Sequence, residues 1–124
     1  TIAVEAVPTA PGKTSLAKGE IIDAILLDRR PARSADAYLR FIPRTEMDIA
    51  VVGVGASVVL DQSRSCFAAG CVALGAVAPT PLLVSEVSAA LEGTPANEQT
   101  IARVAEIAQA AARPDGALDL LKQS

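Results

Sequence analysis

The stretch DIAVVGVGASVVLD, from Asp48 to Asp61, has the spacing in this sequence that most suggests cofactor chemistry. A dinucleotide-binding fingerprint places Gly-x-Gly-x-x-Gly between a strand and a helix, so that the pyrophosphate lies at the helix N-terminus. Here the third glycine position holds Val58, and the residues after Gly55 favour a strand. The next acid, Asp61, also comes far short of the ~20 residues at which a ribose-binding acid is expected. We therefore interpret Gly53 and Gly55 as positions at which another backbone packs closely on a sheet.

Nucleophilic and acid–base chemistry has little support elsewhere in the sequence. There is no histidine, so the usual base of acyl transfer is missing, and the two cysteines cannot complete a structural zinc site. On a strand, the spacing of Cys66 and Cys71 points them to opposite faces and disfavours a disulfide. Glu46 and Asp48, beside Arg44, form either an acid pair or a solvated loop held by a salt bridge. We assign no catalytic residue and no metal ligand.

Composition places the chain among small globular domains. It has 124 residues, of which 51% are hydrophobic and only 2% aromatic, so Ala, Val, Leu and Ile must build the core. The net charge of -3, without a run of Lys or Arg, argues against nucleic acid as a partner. No apolar stretch approaches the ~18 residues of a membrane span, and the two thiols suit a reducing cytoplasm. The sequence opens without an initiator Met or a secretory signal, so we expect a piece of a longer polypeptide.

The elements that must position these residues begin with strands. Residues 1–19 are punctuated by Pro and Gly and predict an extended arm with turns. The apolar run 20–28 predicts a short strand, and 37–44, which stops at a proline, predicts an edge strand or an irregular segment. Residues 49–60 predict a long strand, and 65–78 predict its partner after a turn.

Helices follow the strands. Residues 82–93 predict a helix that Gly93 ends, and 96–113 form the clearest amphipathic helix in the chain. A third helix is predicted to begin near residue 117. Strands first and helices afterwards indicate an α+β fold, with a small antiparallel sheet packed on a bundle of about three helices.

Three stretches, in order, resemble the flavoprotein (medium) subunits of molybdenum hydroxylases, the family of carbon monoxide dehydrogenase, xanthine dehydrogenase and aldehyde oxidase. APGKTSLAKGEIIDAILL resembles a domain junction of those subunits. In those subunits an Ala-Tyr-basic motif, an arginine and Asp-Ile-Ala precede a long strand. The stretch AYLRFIPRTEMDIAVVGVGASVVLD is similar to that segment. VALGAVAPTPLLVSEVSAALEG is similar to their passage from strand to helix.

The resemblance implies that residues 20–124 are the C-terminal α+β domain of an FAD-binding subunit. It implies that 1–19 are a linker arm from an upstream FAD-binding domain that this chain lacks. The parent would be an oxidoreductase in which electrons pass from a molybdenum cofactor, through 2Fe-2S clusters in partner chains, to FAD. The implied partners are the molybdenum-binding large subunit and the iron–sulfur small subunit.

Four site residues follow from the same resemblance as candidates for contact with FAD: Tyr38, Arg40, Arg44 and Asp48. Tyr38 matches the family's aromatic, Arg40 stands where a Lys is usual, and Arg44 and Asp48 match the Arg and the Asp of the same segment. The alternative for Arg40 and Arg44 is that they are surface charges on a loop. The alternative for the chain is a stand-alone binding or oligomerisation module without catalysis.

Overall fold

The computed structural model describes residues 1–42 and 52–112 and has an α+β architecture. Its N-terminal part holds a 3-10 turn at Val4–Ala6 and a small hairpin of two strands. A four-stranded antiparallel sheet and then two α-helices follow, in the strands-then-helices order that the sequence predicts. The elements are β1 Pro8–Ala10, β2 Lys13–Thr14, β3 Ser34–Phe41, β4 Val52–Leu60, β5 Phe67–Gly75, β6 Leu82–Leu83, α1 Ser85–Leu91 and α2 Glu98–Ala111.

The main sheet has the order β3-β4-β5-β6, so each strand pairs with its neighbour in sequence. The long β4 pairs along nearly its whole length with both β3 and β5. Because β4 runs without a break through Gly53 and Gly55, no strand-to-helix turn exists there. The structure thus confirms that this stretch is not a dinucleotide fingerprint.

One face of the sheet carries the core. Side chains alternate between the two faces of a strand, which puts Val72 and Leu74 of β5 on the same side as Val54 and Ala56 of β4. Both helices pack on this side, and Val87 of α1 is completely buried. The buried apolar residues are Phe67, Val72, Leu74, Val84, Val87, Leu91 and Val104.

Local signals in the sequence fix the ends of both helices. Gly93 follows α1 with a φ of +71°, a conformation that glycine adopts without a steric cost, and its N–H donates to the carbonyl of Phe67 at 2.8 Å. Asn97 caps α2 by accepting a hydrogen bond from the Thr100 N–H at 2.9 Å. Both helices therefore begin or end where the sequence analysis places them, within a few residues.

Two predicted elements, a strand and a helix, are not among the elements of the described structure. Residues 20–28 lie outside every strand of the described structure, although their composition predicts one. A strand needs a partner for its backbone groups, and none of the described strands pairs with this segment. The predicted third helix, from residue 117, lies outside the described residues.

Candidate functional site

Tyr38 and Arg40 lie on the face of the sheet opposite the helices. They alternate with Leu39 along the edge strand β3, so they share one side of it. Tyr38 is paired in register with Gly55 and Arg40 with Gly53, which places both at the same end of the sheet. Both residues are exposed. Arg40 therefore belongs to a regular edge strand, which was one of the two predictions for residues 37–44, and not to a loop.

Gly53 and Gly55 lie beneath the side chain of Tyr38 on this surface. A Cβ atom built on Gly53 would lie 2.5 Å from the Tyr38 phenol oxygen, and one built on Gly55 would lie 3.8 Å from its Cδ2 atom. One side of the ring therefore runs over both glycines, and the residue stays 66% exposed. Among the described residues, the Tyr38 side chain from the neighbouring strand lies over these glycines. That another backbone packs on them stays a prediction.

Small side chains continue the surface across β4 and β5. Ser57 is paired with Cys71 and Gly55 with Ala73, so these residues share the side of Tyr38. None of the described helices packs on this side. We call this surface the open face: Tyr38, Arg40, Gly53, Gly55, Ser57, Cys71 and Ala73.

The cysteines add no chemistry that the described residues support. Cys66 and Cys71 are both free and half-buried, which agrees with the prediction that no disulfide joins them. Cys66 precedes β5 and forms a bridge with Pro95, so the two cysteines do not share a strand. No group of residues suited to a metal ion occurs in the part of the chain that the structure describes.

Arg44 and Asp48 lie outside the described residues, in the connection between β3 and β4. The structure therefore brings together Tyr38 and Arg40 among the four candidates. Asp36, which sequence reasoning missed, lies on the same side of β3 and pairs with Arg30. Side chains two residues apart on a strand lie on the same side. This alternation could have identified Asp36, which lies two residues before Tyr38.

The arrangement on the open face suits a planar aromatic ligand that carries or acquires negative charge. An exposed tyrosine ring offers a stacking surface, and a guanidinium on the same face favours an anion. The small residues of β4 and β5 leave space beside the ring.

A tight turn closes the other end of β4. The Asp61 carboxylate accepts hydrogen bonds from the Ser63 hydroxyl at 2.7 Å and from the N–H groups of Ser65 and Cys66 at 3.1 and 3.2 Å. The Ser63 hydrogen bond and then the backbone bonds lower the pKa of this carboxyl below its usual value. The turn has a structural role and lies away from the candidate site.

The sequence matches a known family over residues 37–120, which is more than half of the chain. That family is described as the CO dehydrogenase flavoprotein C-terminal domain. No match was found among curated protein sequences.

Solved structures show the same fold. The chain is similar to a reconstituted CO dehydrogenase from Oligotropha carboxidovorans with a TM-score of 0.76 and 21% identity, over 88% of this chain and 37% of that one. It is similar to a CO dehydrogenase from Hydrogenophaga pseudoflava with a TM-score of 0.61 and 26% identity, over 68% of this chain and 29% of that one. For quinoline 2-oxidoreductase from Pseudomonas putida 86, the TM-score is 0.67 and the identity 24%, over 84% of this chain and 35% of that one.

The structure defines an α+β domain in which the described helices cover one side of a four-stranded sheet and the open face lies on the other. The sequence match then identifies it: the chain belongs to the CO dehydrogenase flavoprotein C-terminal domain family. It spans about a third of the length of the solved chains that it matches. No described helix is long enough to cross a membrane, the longest having 14 residues.

Proposed function

We propose that this chain is the C-terminal domain of the FAD-binding subunit of a cytoplasmic molybdenum hydroxylase, and that it closes over the flavin and helps to dock the subunit. In this role it belongs to an oxidoreductase in which electrons from the molybdenum centre pass through 2Fe-2S clusters and FAD to an acceptor. The large molybdenum-binding and small iron–sulfur subunits are the proposed partners. The chain alone is proposed to be inactive.

The observation that supports the proposal most strongly is the position of the Tyr38 ring over Gly53 and Gly55. The ring meets Gly53 so closely that a Cβ atom there would collide with the phenol, while its own exposure leaves a surface for a ligand. A planar isoalloxazine fits such a surface, because aromatic rings stack at an offset. The residues present therefore suit the ring system of FAD.

The same residues do not suit the phosphates of FAD. Phosphate binding needs a concave set of backbone N–H groups or a helix N-terminus. The Gly-Val-Gly of β4 is engaged in strand pairing, and the described helices lie behind the opposite face. The phosphates are proposed to bind to the part of the subunit outside this chain.

FAD supplies reversible uptake of one or two electrons when it is bound. Tyr38 would bind and orient the ring system and would exclude water from the side that it covers. Arg40, with its fixed positive charge, would stabilise negative charge at the flavin edge. Arg44 and Asp48 remain sequence-based candidates for the same contact.

The test is the affinity of the full-length flavoprotein for FAD after Tyr38→Ala. Loss of one aromatic contact, worth ~1 kcal/mol, should weaken binding by roughly 5-fold. The measurement is a titration of apoprotein with FAD, followed by the quenching of flavin fluorescence.

Leu39→Ala is the matched control. Leu39 is the next residue on the same strand and is equally exposed, but it points to the other side of the sheet. Its truncation should leave FAD affinity unchanged. Equal affinities for the two variants would contradict the proposed site.

A further inference from the structure

Residues 20–28 expose the densest group of large apolar side chains in the described structure. The group consists of isoleucines and leucines that are between 57% and 89% exposed: Ile21, Ile22, Ile25, Leu26 and Leu27. A contiguous exposed apolar segment of this kind marks an interaction surface.

The apolar residues lie on both sides of the segment. In an extended chain Ile21, Ile25 and Leu27 point one way, and Ile22 and Leu26 point the other. A strand with one solvent-exposed face would alternate apolar and polar residues. Apolar residues on both sides are typical of a strand that is covered by a layer on each face of a sheet.

The backbone of residues 21–28 also has no hydrogen-bond partner among the described residues. Within the described part of the chain, residues 21–28 belong to no strand or helix and exchange no backbone hydrogen bond. Buried apolar side chains would require these N–H and C=O groups to find partners. Pairing with the edge of another sheet satisfies both requirements at once.

We infer that residues 20–28 form a strand of a β-sheet built by another part of the full-length flavoprotein polypeptide. This inference rests on the proposed function. The family match starts at residue 37, so the segment lies outside the residues that the match covers. The solved chains that match have more than half of their length outside the match, which provides room for such a sheet.

Charge disfavours a second copy of this chain as the occupant. Glu20, Asp23 and Asp28 interrupt the segment. Antiparallel self-pairing centred on Ala24 places Glu20 opposite Asp28, and pairing centred on Asp23 places two copies of that residue together. Like charges directly opposite one another destabilise a pair of strands.

The test is hydrogen–deuterium exchange of the amides of residues 21–27 in the full-length flavoprotein. Insertion into a sheet predicts exchange at least ~100-fold slower than that of an unprotected chain. Exchange at the unprotected rate would overturn the inference. Protection that disappears on dilution of the protein would assign the contact to a second copy and would also overturn it.

Variants make the test specific. Leu26→Asp and Leu27→Asp alter opposite sides of the segment, and each should speed exchange of the neighbouring amides by ~10-fold or more. Leu26→Ser is the milder variant if these proteins do not fold, and it should speed exchange in the same direction. Ile101→Asp, at a residue of α2 that is 57% exposed, is the control and should leave residues 21–27 protected.

FAD content is measured on the same samples. Protected amides in a protein that binds no FAD would contradict the proposed function but would support the inferred strand. Unprotected amides in a protein that holds FAD would contradict the strand and retain the proposed function.

Discussion

At the residue scale, the candidate site depends on a pairing between a tyrosine and two glycines on neighbouring strands. Sequence analysis singled out Tyr38 through the family resemblance and Gly53 and Gly55 through their spacing, but it did not connect them. The connection depends on register, since Tyr38 lies opposite Gly55 and extends diagonally to Gly53. The register of two strands depends on how they pair across the sheet, which single-sequence patterns do not specify.

Gly53→Ala should displace the Tyr38 ring while leaving the fold nearly as stable. The new Cβ atom meets the far end of an exposed side chain, which can swing aside, so the free energy of unfolding should fall by less than ~1 kcal/mol. Tyr38 is the only tyrosine, and the chain has no tryptophan, so its fluorescence in the 124-residue chain reports the displacement.

Gly55→Ala is the matched control for this substitution. Its Cβ atom would lie at an ordinary contact distance of 3.8 Å from the ring, so tyrosine fluorescence should remain that of the parent. Identical fluorescence for the parent and both variants would show that the ring does not rest on Gly53.

At the element scale, Gly70 is the glycine that permits helix packing. A Cβ atom there would collide with Cδ1 of Leu91, which is 3% exposed and cannot move into solvent. Gly70→Ala should lower the free energy of unfolding by ~1–3 kcal/mol through overpacking. Denaturant midpoints measure the change.

Gly75→Ala is the control for Gly70 on the same strand. The nearest atom to its Cβ position is the Gly53 carbonyl oxygen at 3.9 Å, so space is available. A loss of stability as large as that of Gly70→Ala would refute the account of helix packing on this face.

The turn between β4 and β5 predicts a pH dependence of stability. Because folding lowers the Asp61 pKa, the carboxylate stabilises the fold above its unfolded pKa of about 4, and this contribution disappears as the pH falls through the folded value. The parent should therefore lose stability as the pH falls below about 5. Thermal denaturation across this range measures the loss.

Asp61→Asn should lose less stability over the same acid range, because the substituted residue has no carboxylate to protonate. Ser63→Ala removes the largest cause of the lowered pKa and should reduce the loss in the same direction. If all three proteins lose stability in parallel, Asp61 does not contribute to the pH dependence.

Most of the element pattern was predictable because local signals specify it. Gly93 and Asn97 delimit the helices, and the alternation of β4 and β5 defines the sheet. Residues 20–28 were predicted as a strand for sound reasons of composition. What composition does not provide is the partner of a strand, and the described residues contain none for this segment.

At the scale of the whole molecule, the domain divides into two functional sides. The helices complete a core on one side of the sheet. The open face lies on the other side, where we propose that the domain contacts the flavin. Residues 20–28 provide the proposed connection to the rest of the polypeptide. In the proposed function, the domain completes a flavin site whose larger part lies outside this chain.

The central claim, that the open face lies against the flavin, is tested most directly by the reduction potential of the flavin in the full-length protein. Removing a positive charge near the reduced, anionic ring destabilises that form, so Arg40→Ala should lower the potential. An interaction of ~1 kcal/mol corresponds to about 20 mV for a two-electron couple.

Spectroelectrochemical titration compares the parent with Arg40→Ala, Arg40→Lys and Arg64→Ala. Arg40→Lys keeps the charge, and Arg64 lies in the turn at the other end of the sheet, so both variants should stay close to the parent. The account predicts a potential about 20 mV lower for Arg40→Ala alone. A potential for Arg40→Ala equal to that of the parent would contradict it.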